Sequence, residues 1–393
     1  MGFGVIIASG DSNTVLDSSV NNALIEVRVE QSLGEPTTFA MRFRDDICDN
    51  QYVMSSRPEF TPNTMMTIAV RYEDQGKIFC LVRGPIIEAK ASYTLGGPGS
   101  FFEVRGQDKR KRLADVAQTA CKSDSVTQIA TGLLQPVYSN NDVQSGLPTL
   151  GDPDKKGGNT IQSSTPLEHL NALARQTGAY LWVTYEQVSI AGSSLNVTEK
   201  AHFAMSPPRG TGVSVGSLSL SSLLPEDGIE LDGGASGACG PNITAFEVNE
   251  NWAAVTNAQA GGVDARSADT NTQQTTDPDP LLQPSGISAA ALPGPGQSGI
   301  AVNAGNSEAN ARRAQAALSE EGWYVTARAS SSLNMLHRTV EPHTILTVTG
   351  IGPLHSMPFQ VSKVTHVVTS AAHMMDMELR ANQHIDRSQG TSS

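Results

Sequence analysis

Charge and aromatic rings are both scarce in this chain. Of its 393 residues, 17% are Asp, Glu, Lys or Arg and 5% are Phe, Trp or Tyr. Set beside 36 Gly and 21 Pro, that poverty excludes a typical helical enzyme and reads as a strand-and-loop protein with small interior residues. Basic residues are outnumbered, 27 against 39, for a formal net charge of -12. A surface that grips nucleic acid needs clustered Lys and Arg, so sequence-specific nucleic-acid binding is not expected. An acidic wall past which nucleic acid slides is compatible with the charge, and so is plain solubility. The four cysteines, Cys48, Cys80, Cys121 and Cys239, are far apart and form no C-x-x-C pair. They read as reduced thiols, which sets aside a disulfide framework or a zinc ribbon. No apolar run approaches the length of a membrane span, and stable membrane insertion is not expected. The opening MGFGVIIASGDSN has no basic residue before its short apolar run and makes a poor signal peptide. Ile6 stands where a myristoylation signal needs Ser or Thr.

Catalytic motifs are missing as well. The one G-x-S-x-G, Gly212–Gly216, runs into strand-like residues and not into the helix a nucleophile elbow needs, and the adjacent acids Glu320 and Glu321 point apart on a helix pattern. Six of the eight histidines lie in the last 57 residues, yet His366 and His373 alone are close together, where zinc needs three or four ligands. No catalytic residue, cofactor or metal is therefore expected. The run Lys109–Arg112 has three readings: phosphate held at a helix start, an intersubunit salt bridge, or the favoured one, a solvated face.

What is present is an order of elements. Alternating strands Ala23–Val29 and Thr38–Phe43 flank the turn Leu33-Gly34-Glu35-Pro36. Met66–Tyr72 pairs with Lys77–Arg83, and Ile86–Tyr93 with Phe101–Val104, giving a first β-domain over 1–105. The stretch Phe101–Glu186 follows, with a basic helix start after Asp108, a helix over Ser123–Gln135 and a capped helix from Thr165. There Thr165, Pro166 and Glu168 make a capping box, Leu167, Leu170, Leu173 and Ala174 an apolar face, and Gly178 a left-handed stop before strand Tyr180–Tyr185. This α+β module spans 106–200, with a long loop over 136–164. A second β-domain, 201–393, has strands Val213–Leu220, Ile243–Asn249, Trp323–Arg328, Ile345–Thr349, Phe359–Val368 and Met375–Arg380. Its low-complexity insertion, about 258–306, is too poor in apolar residues to fold alone, and a helix Glu308–Glu321 follows it.

The VRGPI turn (Val82–Ile86), VRGQD (Val104–Asp108), the Ser123–Leu133 helix, Thr165–Val183 and the closing His343–Gly352 and Phe359–Asn382 resemble the phage late-control protein D family, the tail baseplate hub proteins. The same architecture recurs in contractile injection systems and type VI secretion spike proteins. The resemblance implies a mostly β, α+β fold with two tube-protein-like β-barrel domains flanking a small helix-strand module. It implies no enzyme but a homotrimeric symmetry adaptor in the virion tail baseplate or an injection-system baseplate, assembled in the bacterial host cytoplasm. Its partners would be the sixfold tail tube or tube-initiator proteins, a separate threefold spike protein and baseplate wedge proteins. Ile345, Thr347, Val361, Val364, Glu378 and Arg380 are the candidate interface wall, and the helix Thr165–Gln176 the brace between β-domains. The alternatives are a tail-tip peptidoglycan hydrolase, which would need a cleft with paired carboxylates, and a glycan-binding module in the helix pair of 107–135.

Overall fold

The longest strand, Lys77–Ser92, organises the sheet because it serves two partners in turn. Its first half pairs antiparallel with Met65–Tyr72 and its second half with Phe101–Gln107. The Gly84-Pro85 pair reads in sequence as a break between two strands, but the chain runs straight through it. Gly84 is there for space: a Cβ would lie 1.8 Å from the Gln107 carbonyl oxygen and 2.6 Å from the Asp108 Cα. This geometry comes from a computed structural model, which describes residues 4–48, 51–72, 76–94, 99–122, 125–145, 147, 160–205, 229–233, 241–251, 255–263, 270–275, 298–303, 307–352 and 355–381.

The fold is mostly β with few helices, and sixteen strands belong to one large mixed sheet. Its path runs Asn141–Val143, Ser194–Met205, Thr14–Val15, Gly4–Ser9, Met65–Tyr72, Lys77–Ser92, Phe101–Gln107, Glu35–Arg44, Leu24–Ser32, Pro358–Thr369, His373–Ala381, Val325–Ser332 and Ala245–Glu250. Among the described residues no group of strands closes into a barrel. Where two separate barrels are expected, hydrogen bonding instead passes from Leu24–Ser32 to Pro358–Thr369, with Val29 opposite His366. The alternation that left one polar face on each of these strands is what lets them share a sheet.

Three large apolar cores lie against this path. One gathers Ile7, Val27, Val29, Phe39, Met41, Ile68, Ile86 and Val104. A second gathers Leu346, Phe359, Val361, Val364, Met375, Met377 and Leu379. The third belongs to the helical module and packs Leu113, Ile129, Leu134, Leu170 and Leu173 on Leu181 and Phe203. There the helix Pro166–Thr177 starts at a complete Thr165/Glu168 capping box and stops at Gly178, φ 72°. It hands the chain to Ala179–Ala191, which pairs with Ser194–Met205. The helix Val126–Leu134 is capped in the same way by Ser125 and Gln128.

Several expectations change. The basic helix after Asp108 is a short 3-10 segment, Lys109–Ala114, and the chain then forms a strand, Gln118–Lys122, paired with Thr160–Ser164. The loop expected over 136–164 therefore contains strand at Asn141–Val143 and Thr160–Ser164, the rest lying partly outside the described residues. Within the low-complexity insertion, Val255–Val263, Thr270–Thr275 and Ser298–Asn303 make a small sheet. The helix Ser307–Glu321 covers these strands: Ala314 and Leu318 pack on Ala258 and Ala260, and the three alanines allow close approach. The expected strand Val213–Leu220 lies outside the described residues. The brace helix Pro166–Thr177 packs on the strand Ala179–Ala191 and meets the Ser307–Glu321 helix, where the Gly178 position approaches Ala316, and the 3-10 segment.

Candidate functional site

Eight consecutive strands of the path, from the Ile86–Ser92 half-strand to Ala245–Glu250, present one continuous face away from the cores. In an antiparallel sheet directly opposed residues point to the same side, so the registers assign the face residue by residue. Glu88 opposes Arg105, Lys90 opposes Glu103, Arg42 opposes Glu103, and Arg28 opposes Ala40. Beyond the junction Lys363 opposes Glu378, Thr365 opposes Asp376, and Arg328 opposes both Glu378 and Glu247. The inward positions between them are apolar and buried, including Val27, Met41, Val104, Val364, Met377 and Ala329.

Ion pairs run along and across the strands of the outward face. Arg42 and Arg105 both hold Glu103, at 2.9 and 2.6 Å, Arg28 holds Glu30 at 2.7 Å, and Lys363 reaches Glu30 at 3.5 Å. Burial pushes the Glu103 carboxyl up, but the hydrogen bonds from Arg105 and Arg42 outweigh it and leave it below its ordinary value. Glu30 is lowered chiefly by its hydrogen bond from Arg28. The face carries eight basic side chains and seven acidic ones, so it is balanced rather than acidic, although the whole chain is at -12. The acidic-wall reading does not describe this face. A shallow hollow of about 440 Å³ sits on it, lined by Arg28, Glu30, Ala40, Ile87 and Arg105.

Among the described residues both ends of the eight strands are open. The second half of Lys77–Ser92 has Phe101–Gln107 on one side; on its other side Met65–Tyr72 stops at Pro85, Thr64 and Asn63 take the Ile86 amide and carbonyl, and no described strand pairs beyond them. At the far end Ala245–Glu250 pairs with Val325–Ser332, and no described strand pairs with its other edge. Ile87 and Tyr93, 45% and 43% exposed, stand at the first edge. An edge of this kind is a template for another chain.

A buried ionic cluster fixes the helical module to the sheet. Asp108 and Arg110 are 1% and 3% exposed and pair at 2.6 Å. Asp108 accepts from the Thr37 amide at 2.7 Å and from the Arg110 amide at 2.9 Å. Arg110 donates onward to the Leu181 and Glu35 carbonyls at 2.6 and 2.8 Å. Beside them Glu199 accepts from Arg83 and Lys109, each at 3.0 Å, and the Tyr185 hydroxyl accepts from the Arg83 amide at 2.9 Å. The solvated-face reading of Lys109–Arg112 is therefore overturned. Arg110 is drawn inside by Asp108, Lys109 pairs with Glu199, and Lys111 pairs with Asp115 at 2.6 Å. The signal in sequence was Asp108 itself, an N-cap that both starts the turn and neutralises the arginine two residues on.

His366 and His373 do meet, on neighbouring strands at the junction. Their ring nitrogens are 3.0 Å apart, and His366 continues to Gln31, which donates to the Leu81 carbonyl. Burial lowers both imidazoles, His373 to about 4 and His366 well below its ordinary value. Among the described residues no group of three or more His, Cys, Asp or Glu is placed to hold a metal, and no helix is long and apolar enough to cross a membrane.

The six expected wall residues divide. Val361 and Val364 are fully buried in the chain's own second core, Ile345 is buried, and Thr347 is half-buried. Glu378 stands exposed on the polar face. Arg380 lies at its margin, donating to Gln360 at 2.9 Å and Tyr180 at 3.3 Å, with its guanidinium 4.0 Å from the Trp323 ring centroid.

Comparison of the whole architecture with solved structures is informative. The 43 kDa tail protein of prophage MuSo2 from Shewanella oneidensis superposes with a TM-score of 0.60 at 15% identity, over 97% of this chain and 99% of that one. A tail protein from Neisseria meningitidis MC58 gives 0.59 at 12% identity, over 97% of each chain. The chain has the fold of these tail proteins. That fold is shared nearly end to end while sequence identity is low, and no family model and no curated protein matches the sequence.

Proposed function

We propose that the chain is a non-enzymatic structural hub of a contractile phage tail or related injection machine, working as a homotrimer. One observation carries this reading: the eight strands are two successive blocks of four built to one plan. The order Ile86–Ser92, Phe101–Gln107, Glu35–Arg44, Leu24–Ser32 is followed by Pro358–Thr369, His373–Ala381, Val325–Ser332, Ala245–Glu250. In chain order, each block runs third, fourth, second, first. Each block also carries a bulge at the same place. Ile86 and Glu88 oppose Gly106 and Arg105, as Val361 and Lys363 oppose Leu379 and Glu378.

Two units with one plan in one polypeptide make a head-to-tail arrangement, and such an interface repeats until it closes. Three copies close at six units and twenty-four strands. With a strand spacing of about 4.8 Å and ordinary tilt, such a wall is about 45 Å across. A sixfold tail tube meets six like units on this ring, and a threefold spike meets three whole chains. The polar face lines the channel, its charges neutralised in pairs so that a polyanion finds no basic patch to hold it. Glu378 lies on that wall, and the module of about 106–200 braces the outside through Asp108 and Arg110. Baseplate wedge proteins would meet that outer side. The test is the mass of the purified chain by light scattering: three times 41.5 kDa supports the reading, and a monomer at every concentration contradicts it.

A further inference from the structure

The internal junction is a template for the junction between copies. We infer that the open edge Ile87–Ser92 of one copy pairs antiparallel with the open edge Ala245–Glu250 of a second copy, in a register that places Ala91 opposite Val248. The inference rests on the ring reading and goes beyond it by assigning the residues that meet.

The register follows from equivalent positions in the two blocks. The shared bulge equates Ile86 with Val361 and Glu88 with Lys363, so Ala91 corresponds to His366. Met41 opposes Val104 as Ala329 opposes Met377, which equates Met41 with Ala329. Val27 opposes Met41 and Phe246 opposes Ala329, so Val27 corresponds to Phe246 and Val29 to Val248. Within the chain His366 opposes Val29, Val367 opposes Arg28 and Thr365 opposes Glu30. Transferred to the open edges, Ala91 meets Val248, Ser92 meets Glu247, and Lys90 meets Asn249.

The side chains at those edges fit the assignment. Ala89, Ala91 and Tyr93 are exposed, although the first two point to the core side of the sheet, and Phe246 and Val248 are half-buried on the same side. Pairing covers Ala91 with Val248 and brings Tyr93 against Phe246, which continues the apolar core across the seam. On the channel side exposed Lys90 and Glu247 become diagonal neighbours. That is the relation in which Lys363 reaches Glu30 at 3.5 Å within the chain.

The experiment is disulfide trapping in the full-length chain. Ala91→Cys with Val248→Cys, oxidised and run without reductant, is expected to give a covalent three-chain species that neither single variant forms. Ala89→Cys with Val248→Cys, two residues out of register, is expected to link far less, because opposed positions alone bring Cβ atoms within disulfide reach. Lys90→Glu is expected to shift the trimer toward monomer, and adding Glu247→Lys to restore it. A trimer by mass that links through the shifted pair, or through neither, overturns the register while leaving the three-copy ring standing. A chain that stays monomeric overturns both.

Discussion

Removing the Asp108 carboxylate should cost more than any other single surface-remote change in this fold. In Asp108→Ala, the Arg110 guanidinium is left almost wholly buried with two carbonyls, Leu181 and Glu35, and no counter-charge. Breaking one side of a buried ion pair costs about 3–5 kcal/mol. The Thr37 and Arg110 amides also lose their acceptor, and each stranded buried donor costs about 1–3 kcal/mol unless water reaches it. The expected loss therefore lies near the upper end, about 5 kcal/mol, which is a large part of the stability of an ordinary domain. Urea unfolding followed by tryptophan fluorescence suits the site, because Trp182 sits one residue from the Leu181 carbonyl that Arg110 holds. The companion variant Asp108→Leu/Arg110→Met removes both charges and should recover most of the loss. A loss below about 1 kcal/mol in the single variant, or a double variant no better than the single, refutes the claim that this pair anchors the module.

Two further changes probe other parts of the account. Gly106→Ala should destabilise by about 1–3 kcal/mol or more, because a Cβ there would lie 2.2 Å from the Phe39 ring and 2.4 Å from the Pro85 carbonyl; combining it with Phe39→Ala should not restore stability, because the backbone carbonyl still clashes and the lost ring leaves a cavity, and unfolding midpoints read both. Acid should weaken the junction: His373 titrates near 4 when folded but near 6.5 when unfolded, so its stabilisation is complete above about pH 6.5 and is lost as pH falls toward 4. Its share by pH 4 is about 3 kcal/mol. Glu341, raised to about 7 by burial, runs the other way, so Glu341→Gln is the background of choice. A flat unfolding free energy between about pH 7 and pH 4 in that background contradicts the buried, neutral histidine pair.

Local signals in the sequence were legible where one residue decides one backbone feature. Thr165 with Glu168, and Gly178 at φ 72°, appear where the capping pattern puts them. The turn at Gly34, φ 73°, joins the expected hairpin. Features decided by a distant neighbour were not legible. Gly84 and Pro85 look like a strand break, but Gly84 makes room for Gln107 and Asp108. The basic run after Asp108 looks like a solvated helix until Leu181 and Glu35 arrive to receive Arg110.

The repeated four-strand plan left almost no trace in residue identity, and packing explains why. Phe39 opposes Gly106 in the first block, and the equivalent Ala327 opposes Leu379 in the second. Bulk has moved from one strand to its partner, which conserves the filled volume while changing both letters. In Met41 with Val104 and Ala329 with Met377 the methionine likewise changes strand, though its partner shrinks from valine to alanine. A core tolerates such exchanges as long as its total volume is kept. The candidate wall was misjudged for a related reason. Val361 and Val364 were assigned to the interface with the closing strands that carry the family resemblance, but both face the core across the bulge at Ser362.

The most direct test of the hub is a particle reconstruction that resolves this chain between tube and spike. It should show three copies forming a continuous strand-lined channel, Glu30 and Glu103 facing the lumen and Ala91 of each copy against Val248 of the next. One copy or six at that level, or a channel wall built from other strands, contradicts the account.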